Sequence, residues 1–225
     1  MVIVTIKYII GTVLGSFLSL VIVRRSRHES IIWPRSHCDN CHHQLKPWEL
    51  IPILSYLMLR GRCLHCHHPI NFINFINEVM TGFIVLLNFT PSGNGLTRTF
   101  FSLILLVIAQ LDWKTMTIPT SLIIILFLIG ILHLLINQQF NWSLGLLLIG
   151  SYLLTQGINH HFQRIGNGDI DIMFILMIEN GPLVTSQIIL IASSLALIQL
   201  LGSQKKIIPF VPYLFIANLI LLNFR

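Results

Sequence analysis

The sequence predicts an all-α fold: a polytopic membrane helical bundle of about eight transmembrane helices with one small polar loop domain. Two observations predict it. Hydrophobic residues make up 54% of the 225 residues and charged residues only 10%, whereas soluble domains carry about 25% charged residues. Apolar stretches also recur along the chain, and several reach the ~20 residues that a membrane-spanning helix needs. They lie at about 2–23, 72–89, 97–111, 118–137, 141–159, 170–179, 183–201 and 209–224.

The first stretch is predicted to be a retained membrane anchor. Its apolar run is too long for a signal peptide, and no small-residue cleavage pattern follows it. The only long polar segment comes next. The chain is therefore predicted to comprise a first transmembrane helix (1–23), a cytosolic loop (24–71) and a membrane-embedded core (72–225).

The distribution of basic residues predicts the orientation of the helices. Seven of the fourteen Lys and Arg lie between Arg24 and Arg62, and such positively charged loops stay in the cytosol. If sides alternate from there, the outward turns near 90–96, 138–140 and 180–182 contain no Lys or Arg. Topology thus explains the net charge of +6, and no nucleic-acid partner is predicted. Four further basic residues fall on the cytosolic side: Lys114, Arg164, Lys205 and Lys206.

All four cysteines lie in the polar loop, as two C-x-x-C pairs separated by 21 residues. Two such pairs can offer four thiolates to one tetrahedral Zn²⁺. Because so short a segment has little core of its own, a metal would stabilise it. The loop is therefore predicted to be a zinc-binding-type domain, with redox chemistry as the weaker alternative and its histidines mostly solvated. The predicted ligands are Cys38, Cys41, Cys63 and Cys66.

Asp112 and Asp169 lie at the edges of apolar stretches, where an ionisable group is costly unless it is paired or hydrated. Asp112 precedes a tight turn that ends at Pro119, and the alternative role for its carboxylate is an interfacial pair with Lys114. The predicted topology puts both aspartates on the cytosolic side. Two carboxylates that share a proton can perform acid–base hydrolysis.

Asp169 ends a Gly-x-Gly-Asp sequence whose glycines, Gly166 and Gly168, permit backbone approaches that a Cβ would forbid. It is predicted to lie at a helix N-terminus, where the macrodipole favours negative charge, and the alternative is a helix-capping role. Asp171, two residues further on, would face away from Asp169 on a helix. Glu179 is predicted to lie in an outer turn.

Together these motifs resemble the bacterial prepilin peptidases, also called type IV leader peptidases, which are intramembrane aspartyl proteases with a GxGD motif. The similarity covers most of the chain. Its most specific part is 37–66, which contains HCDNC, ELIPILSYL and GRC. Four other segments resemble the opening, the two catalytic and the terminal motifs of the family: 15–18, Asp112 with Pro119, 166–169 and 209–213.

The resemblance implies an aspartic endopeptidase of the bacterial cytoplasmic membrane with its active site facing the cytosol. Asp112 and Asp169 would activate one water, with Gly166 and Gly168 supporting the catalytic loop. The substrate would be a type IV prepilin or competence pseudopilin that carries a short basic leader, and membrane lipid would surround the enzyme. Many family members also N-methylate the new amino terminus with S-adenosylmethionine. Asp171 stands where the family usually has Lys.

Two other function classes remain open on the sequence. A proton-coupled membrane transporter would be expected to hold its acidic residues at mid-membrane and not at one rim. A homologue that binds prepilins without cleaving them would retain both aspartates, with Asp171 as its lesion. The sequence contains no H-E-x-x-H, G-x-S-x-G or P-loop motif of a soluble catalytic domain.

Overall fold

The computed structural model describes residues 2–27, 29–138, 142–162, 166–202 and 208–223. In these ranges the chain forms nine α-helices, one short 3₁₀ helix and no strand, which confirms the predicted fold class. Three basic residues of the topology prediction, Arg164, Lys205 and Lys206, lie outside the described residues. The helices are α1 (Val2–Ser26), α2 (Leu54–Met58), α3 (Phe72–Asn88), α4 (Gly93–Thr115), α5 (Thr120–Ile136), α6 (Trp142–Phe162), α7 (Asn167–Asn180), α8 (Pro182–Gly202) and α9 (Val211–Asn223).

Every predicted apolar stretch corresponds to one of these helices, and only α2 has no such stretch. In the part of the chain that the structure describes, α1, α4 and α8 are long and apolar enough to cross a membrane. Three shorter apolar helices are α3, α5 and residues Val211–Leu222 of α9. These are the helices of an integral membrane protein.

The chain divides into two units, Met1–Phe89 and Thr90–Arg225. In the first unit, α1 packs along α3 through glycines spaced as G-x-x-x-G. A Cβ on Gly11 would lie 2.6 Å from the Thr81 carbonyl oxygen, and one on Gly15 would overlap the Thr81 hydroxyl. Small residues at this spacing let membrane helices approach closely. They therefore fix the position of α3 against α1.

In the second unit, α4 packs against α5 and α9, and α7 packs against α5, α6 and α8. Both α4 and α7 bury large apolar side chains completely, such as Leu105 and Ile108 of α4 and Leu176 of α7. The two helices that carry Asp112 and Asp169 are therefore core helices of this unit, and not peripheral ones.

Candidate active site and metal centre

Asp112 lies in the last turn of α4, and it is only 6% exposed. The helix ends because Met116 adopts a left-handed conformation (φ 51°), from which its N–H donates to the Asp112 carbonyl oxygen at 2.9 Å. The side chain makes a tertiary contact: the Val211 N–H donates to Asp112 Oδ2 at 3.3 Å. The start of α9 thus orients one oxygen of the Asp112 carboxylate.

Asp169 is the third residue of α7, and the N-cap position belongs to Gly166. The Asp169 N–H donates to the Gly166 carbonyl oxygen at 3.0 Å. The Gly166 backbone is extended (φ −62°, ψ 135°), and no side chain caps the helix. The alternative in which Asp169 caps its own helix is therefore wrong. Its carboxylate lies in the positive field of the first helical turn.

At each of the two glycines before Asp169, a Cβ would crowd a neighbouring side chain. A Cβ on Gly168 would lie 2.8 Å from Ile118 Cδ1, so this glycine lets the start of α7 approach the residues before α5. A Cβ on Gly166 would lie 3.1 Å from Asp169 Oδ2. Gly166 therefore keeps open the space beside one carboxylate oxygen.

Asp112 and Asp169 lie on two different helices, α4 and α7. Asp169 is half-buried, and the two carboxylates are close enough to interact electrostatically as like charges. With the described residues, neither carboxylate forms an ion pair. Two neighbouring carboxylates are most stable when they share one proton, and a pair that does so can act as acid and base at once.

Asp171 is directed to α6 by two hydrogen bonds in series. Tyr152 donates its hydroxyl hydrogen to Asp171 Oδ1 at 3.0 Å, and Gln156 Nε2 donates to the Tyr152 hydroxyl at 3.3 Å. An aspartate at this position therefore has a structural partner. This hydrogen bond explains how the chain accommodates an anion at a position where the family that the sequence resembles usually has a lysine.

Glu179 is buried near the end of α7, so the prediction of an outer-turn residue is wrong. Its side chain is 3% exposed, and Oε1 lies 3.8 Å from Nδ1 of His133 on α5. Neither carboxylate oxygen has a hydrogen-bond partner among the described residues. The His133 ring nitrogens instead bond Thr97 Oγ1 at 2.8 Å and Asn137 Nδ2 at 2.9 Å. Neither this contact nor the Val211–Asp112 bond has a local sequence signal, because both join distant segments.

The four cysteines converge in the loop domain of the first unit. The sulfur atoms of Cys38, Cys41, Cys63 and Cys66 all lie within 4.8 Å of one another. The Cys38–Cys66 and Cys41–Cys63 sulfur distances are 3.7 and 4.0 Å. Tetrahedral zinc with Zn–S bonds of about 2.3 Å requires sulfur atoms ~3.8 Å apart. The cluster is therefore compatible with a structural zinc ion.

The two cysteine pairs have the same backbone geometry. In one, the Cys38 N–H donates to the His43 carbonyl and the His42 N–H donates to the Cys38 carbonyl. In the other, the same two bonds recur 25 residues later, from Cys63 and His67. His42 and His67 both have φ 55°, so each pair closes through a left-handed residue. The duplication directs all four thiols to one point.

A surface ion pair joins this loop to the end of α1. Arg27 Nη1 donates to Asp39 Oδ1 at 2.7 Å, and this hydrogen bond holds the pKa of the Asp39 carboxyl below its usual value. Because both side chains are largely exposed, the pair contributes little to stability. It connects the segment between Cys38 and Cys41 to the end of α1.

The fold and the site define a class: a helical integral membrane protein with two electrostatically interacting aspartates in one unit and four clustered cysteines in the other. Two family models match the chain in the same order. Bacterial Peptidase A24 N-terminal domain matches residues 9–91, and Type IV leader peptidase family matches residues 99–201.

Curated relatives agree with these matches. A Bacillus subtilis (strain 168) protein named prepilin leader peptidase/N-methyltransferase is 32% identical over 177 residues, or 76% of this chain and 71% of the relative. A protein of the same name from Burkholderia pseudomallei (strain 1026b) is 28% identical over 228 residues, covering 82% and 71%. Another, from Aeromonas hydrophila, is 29% identical over 212 residues, covering 86% and 72%. No solved structure is significantly similar. The chain belongs to the type IV leader peptidase family, which confirms the resemblance.

Proposed function

We propose that this protein is an aspartic endopeptidase that removes the leader from prepilins or pseudopilins, with Asp112 and Asp169 as its catalytic pair. The observation that carries the proposal is that these carboxylates, from α4 and α7, are close enough to interact as like charges. The relatives' name, prepilin leader peptidase/N-methyltransferase, supports the substrate class.

In the proposed mechanism, one carboxylate is ionised and takes a proton from a water molecule held between the pair. The other is protonated and donates a hydrogen bond to the scissile carbonyl, so that the water attacks an activated carbon. The Val211 N–H on Asp112 Oδ2 holds that carboxylate in one orientation. The open space at Gly166 accommodates the carboxylate of Asp169.

We place this pair at the cytosolic face of the bacterial cytoplasmic membrane. The charge distribution supports this orientation, because half of the basic residues lie between Arg24 and Arg62. A short basic leader would remain in the cytosol, and the scissile bond would lie where the hydrophobic segment of the substrate begins. The basic loop would face anionic lipid headgroups, so lipid and not nucleic acid is the proposed partner of this charge.

We further propose that the cysteine cluster holds structural zinc, within a loop domain of residues 24–71. The spacing of the sulfur atoms supports this proposal. The ion would link two short segments that have little apolar core of their own. Metal analysis of the purified protein should give one zinc per chain, and Cys63→Ser should lose it. A wild-type protein that contains no zinc would contradict this proposal.

N-methylation of the new amino terminus is a second candidate activity. The full name of the relatives includes N-methyltransferase. This activity requires S-adenosylmethionine as the methyl donor. The first unit of this chain contains the cysteine cluster and matches the Bacterial Peptidase A24 N-terminal domain, and we assign the second activity to this unit.

The leader-cleavage proposal is tested by co-expression with a tagged prepilin or pseudopilin. Asp112→Asn and Asp169→Asn should each lower cleavage by at least about 100-fold, because each removes an acid–base group. Asp171→Asn, the same substitution on α7, should retain cleavage because its partner is Tyr152. The readout is the mobility shift caused by loss of the leader. Full processing of the substrate by stably expressed Asp112→Asn or Asp169→Asn would contradict the proposal.

A further inference from the structure

We propose that the segment between the two cysteine pairs inserts an apolar surface into the anionic lipid leaflet beside the start of α3. This surface, called the α2 surface below, extends from the 3₁₀ helix Pro47–Leu50 to the end of α2. Its side chains are apolar and exposed: Trp48, Leu50, Ile51, Leu54, Leu57 and Met58. The proposal goes beyond leader cleavage, because it concerns how the loop domain contacts the membrane.

The α2 surface is too apolar for a loop that lies in water. Leu54, Leu57 and Met58 are 56%, 58% and 75% exposed. Leu54 comes three and four residues before the other two, so all three share one face of α2. A contiguous exposed apolar face of this kind marks a contact with a membrane or with another protein.

Two contacts with α3 fix the level of α2 along that helix. The rings of Tyr56 and Phe75 stack with centroids 4.9 Å apart, and Phe75 in turn stacks on Phe72 at 5.7 Å. The Ile53 N–H donates to Glu78 Oε2 at 2.7 Å. Glu78 lies about 9 Å along α3 from Phe72, given the rise per residue of an α-helix. Helix α2 therefore lies beside the first two turns of α3, and not beyond its end.

The first turns of α3 themselves lie at the membrane boundary. Helix α3 has 17 residues and is therefore about 26 Å long, which is less than the ~30 Å of hydrocarbon in a bilayer. Its first two turns also expose the apolar side chains Phe72, Ile73 and Ile76. Because α3 is shorter than the hydrocarbon is thick, these turns lie where headgroups meet acyl chains. The α2 surface lies at the same level, so lipid and not water is next to it.

The charges around the α2 surface favour an anionic lipid. Lys46 precedes the surface, and Arg60 and Arg62 follow it. All three side chains are exposed, and none forms an ion pair within the described part of the chain. The only acidic residue between Lys46 and Arg62 is Glu49, which is 7% exposed and accepts from the Lys46 N–H at 2.7 Å. The accessible charges of this segment are thus all positive, and an apolar face with basic flanks is typical of an interfacial membrane segment.

Lipid explains the α2 surface better than a protein partner does. A soluble partner would have to exclude lipid from a surface that lies level with α3, and it would meet only positive charges there. Lipid contact also gives the loop domain a fixed place. Because Cys41 precedes the segment and Cys63 follows it, insertion of the α2 surface holds the cysteine cluster at the face of the leaflet.

The inference is tested by lipid quenching of a single tryptophan in the full-length protein in nanodiscs. The background replaces the four native tryptophans with phenylalanine, and its unfolding midpoint in detergent checks that it folds like wild type. Met58→Trp then introduces a probe on the α2 surface, and Leu64→Trp introduces a control probe within the second cysteine pair. Lipid brominated near the headgroup end of its acyl chains should lower the fluorescence at position 58 by at least about twofold and leave position 64 nearly unchanged. No quenching at position 58, or equal quenching at both positions, would overturn the inference.

Limited trypsin cleavage of the wild-type protein tests the choice of anionic lipid without any substitution. Cleavage after Arg60 should be at least about fivefold slower in nanodiscs of phosphatidylglycerol than in nanodiscs of phosphatidylcholine, because the anionic surface attracts the basic flank. Cleavage after Arg35, an exposed arginine of the same loop outside the α2 surface, should have a similar rate in both lipids. No slowing after Arg60, or equal slowing after both arginines, would overturn the assignment of anionic lipid as the occupant.

Discussion

At the scale of single residues, the proposed catalytic pair depends on the absence of a side chain at Gly166. Gly166 has φ and ψ values that alanine adopts without strain, but its Cβ would lie 3.1 Å from Asp169 Oδ2. Gly166→Ala should therefore displace the carboxylate and lower leader cleavage by about tenfold, since small misplacements of a reacting group are costly. Gly157→Ala, whose Cβ would contact nothing within 4 Å, should leave cleavage unchanged. Equal cleavage by the two variants in the co-expression assay would contradict this steric role.

A second residue-scale prediction concerns Glu179. A buried carboxylate without a hydrogen-bond donor is costly when ionised, and Glu179 has no such donor among the described residues. Glu179→Gln has nearly the same shape and cannot ionise, so its thermal unfolding midpoint in detergent should equal or exceed that of wild type. A clear decrease would indicate that an ionised Glu179 stabilises His133. The double substitution with His133→Gln would then measure the coupling between the two side chains.

At the scale of elements, helix positions follow from local sequence, whereas contacts between helices do not. Long apolar runs predict α1, α4 and α8 because a membrane-spanning helix must be apolar along its whole length. The short helix α2 and the turn at Ile53 before it have no such run, so the sequence does not predict them. Charge counting predicts that Asp112 and Asp169 lie on one side of the membrane. It does not predict that the Val211 N–H orients Asp112, because Val211 is 99 residues further along the chain.

The cysteine pairs provide an element-scale prediction because each closes through a histidine with positive φ. Asparagine adopts a positive φ readily, whereas a β-branched residue in this conformation has a strained backbone. His67→Val should therefore weaken zinc retention, and His67→Asn should retain zinc like wild type. Competition with a metal-binding dye would measure both affinities. Equal weakening by both substitutions would instead indicate that the imidazole ring, and not the backbone, supports the site.

At the scale of the whole molecule, the proposed chemistries separate between the two units. The proposed protease pair lies within Thr90–Arg225, and the cysteine cluster lies within Met1–Phe89. The sequence predicts the loop as a distinct segment from its polarity and its cysteines. It does not predict that the Ile53 N–H donates to Glu78 at 2.7 Å, because this contact joins the loop to helix α3.

This separation predicts different responses to metal removal. The loop between the two cysteine pairs is closed by the four thiols, so chelation should release it. The helices of the second unit depend on apolar packing and should remain folded. Chelated protein should therefore become sensitive to protease within 36–70, while leader cleavage persists at a similar rate. Restoring zinc should restore the resistance to protease. Loss of leader cleavage at the chelator concentration that makes the loop sensitive would show instead that the two units depend on one metal-stabilised fold.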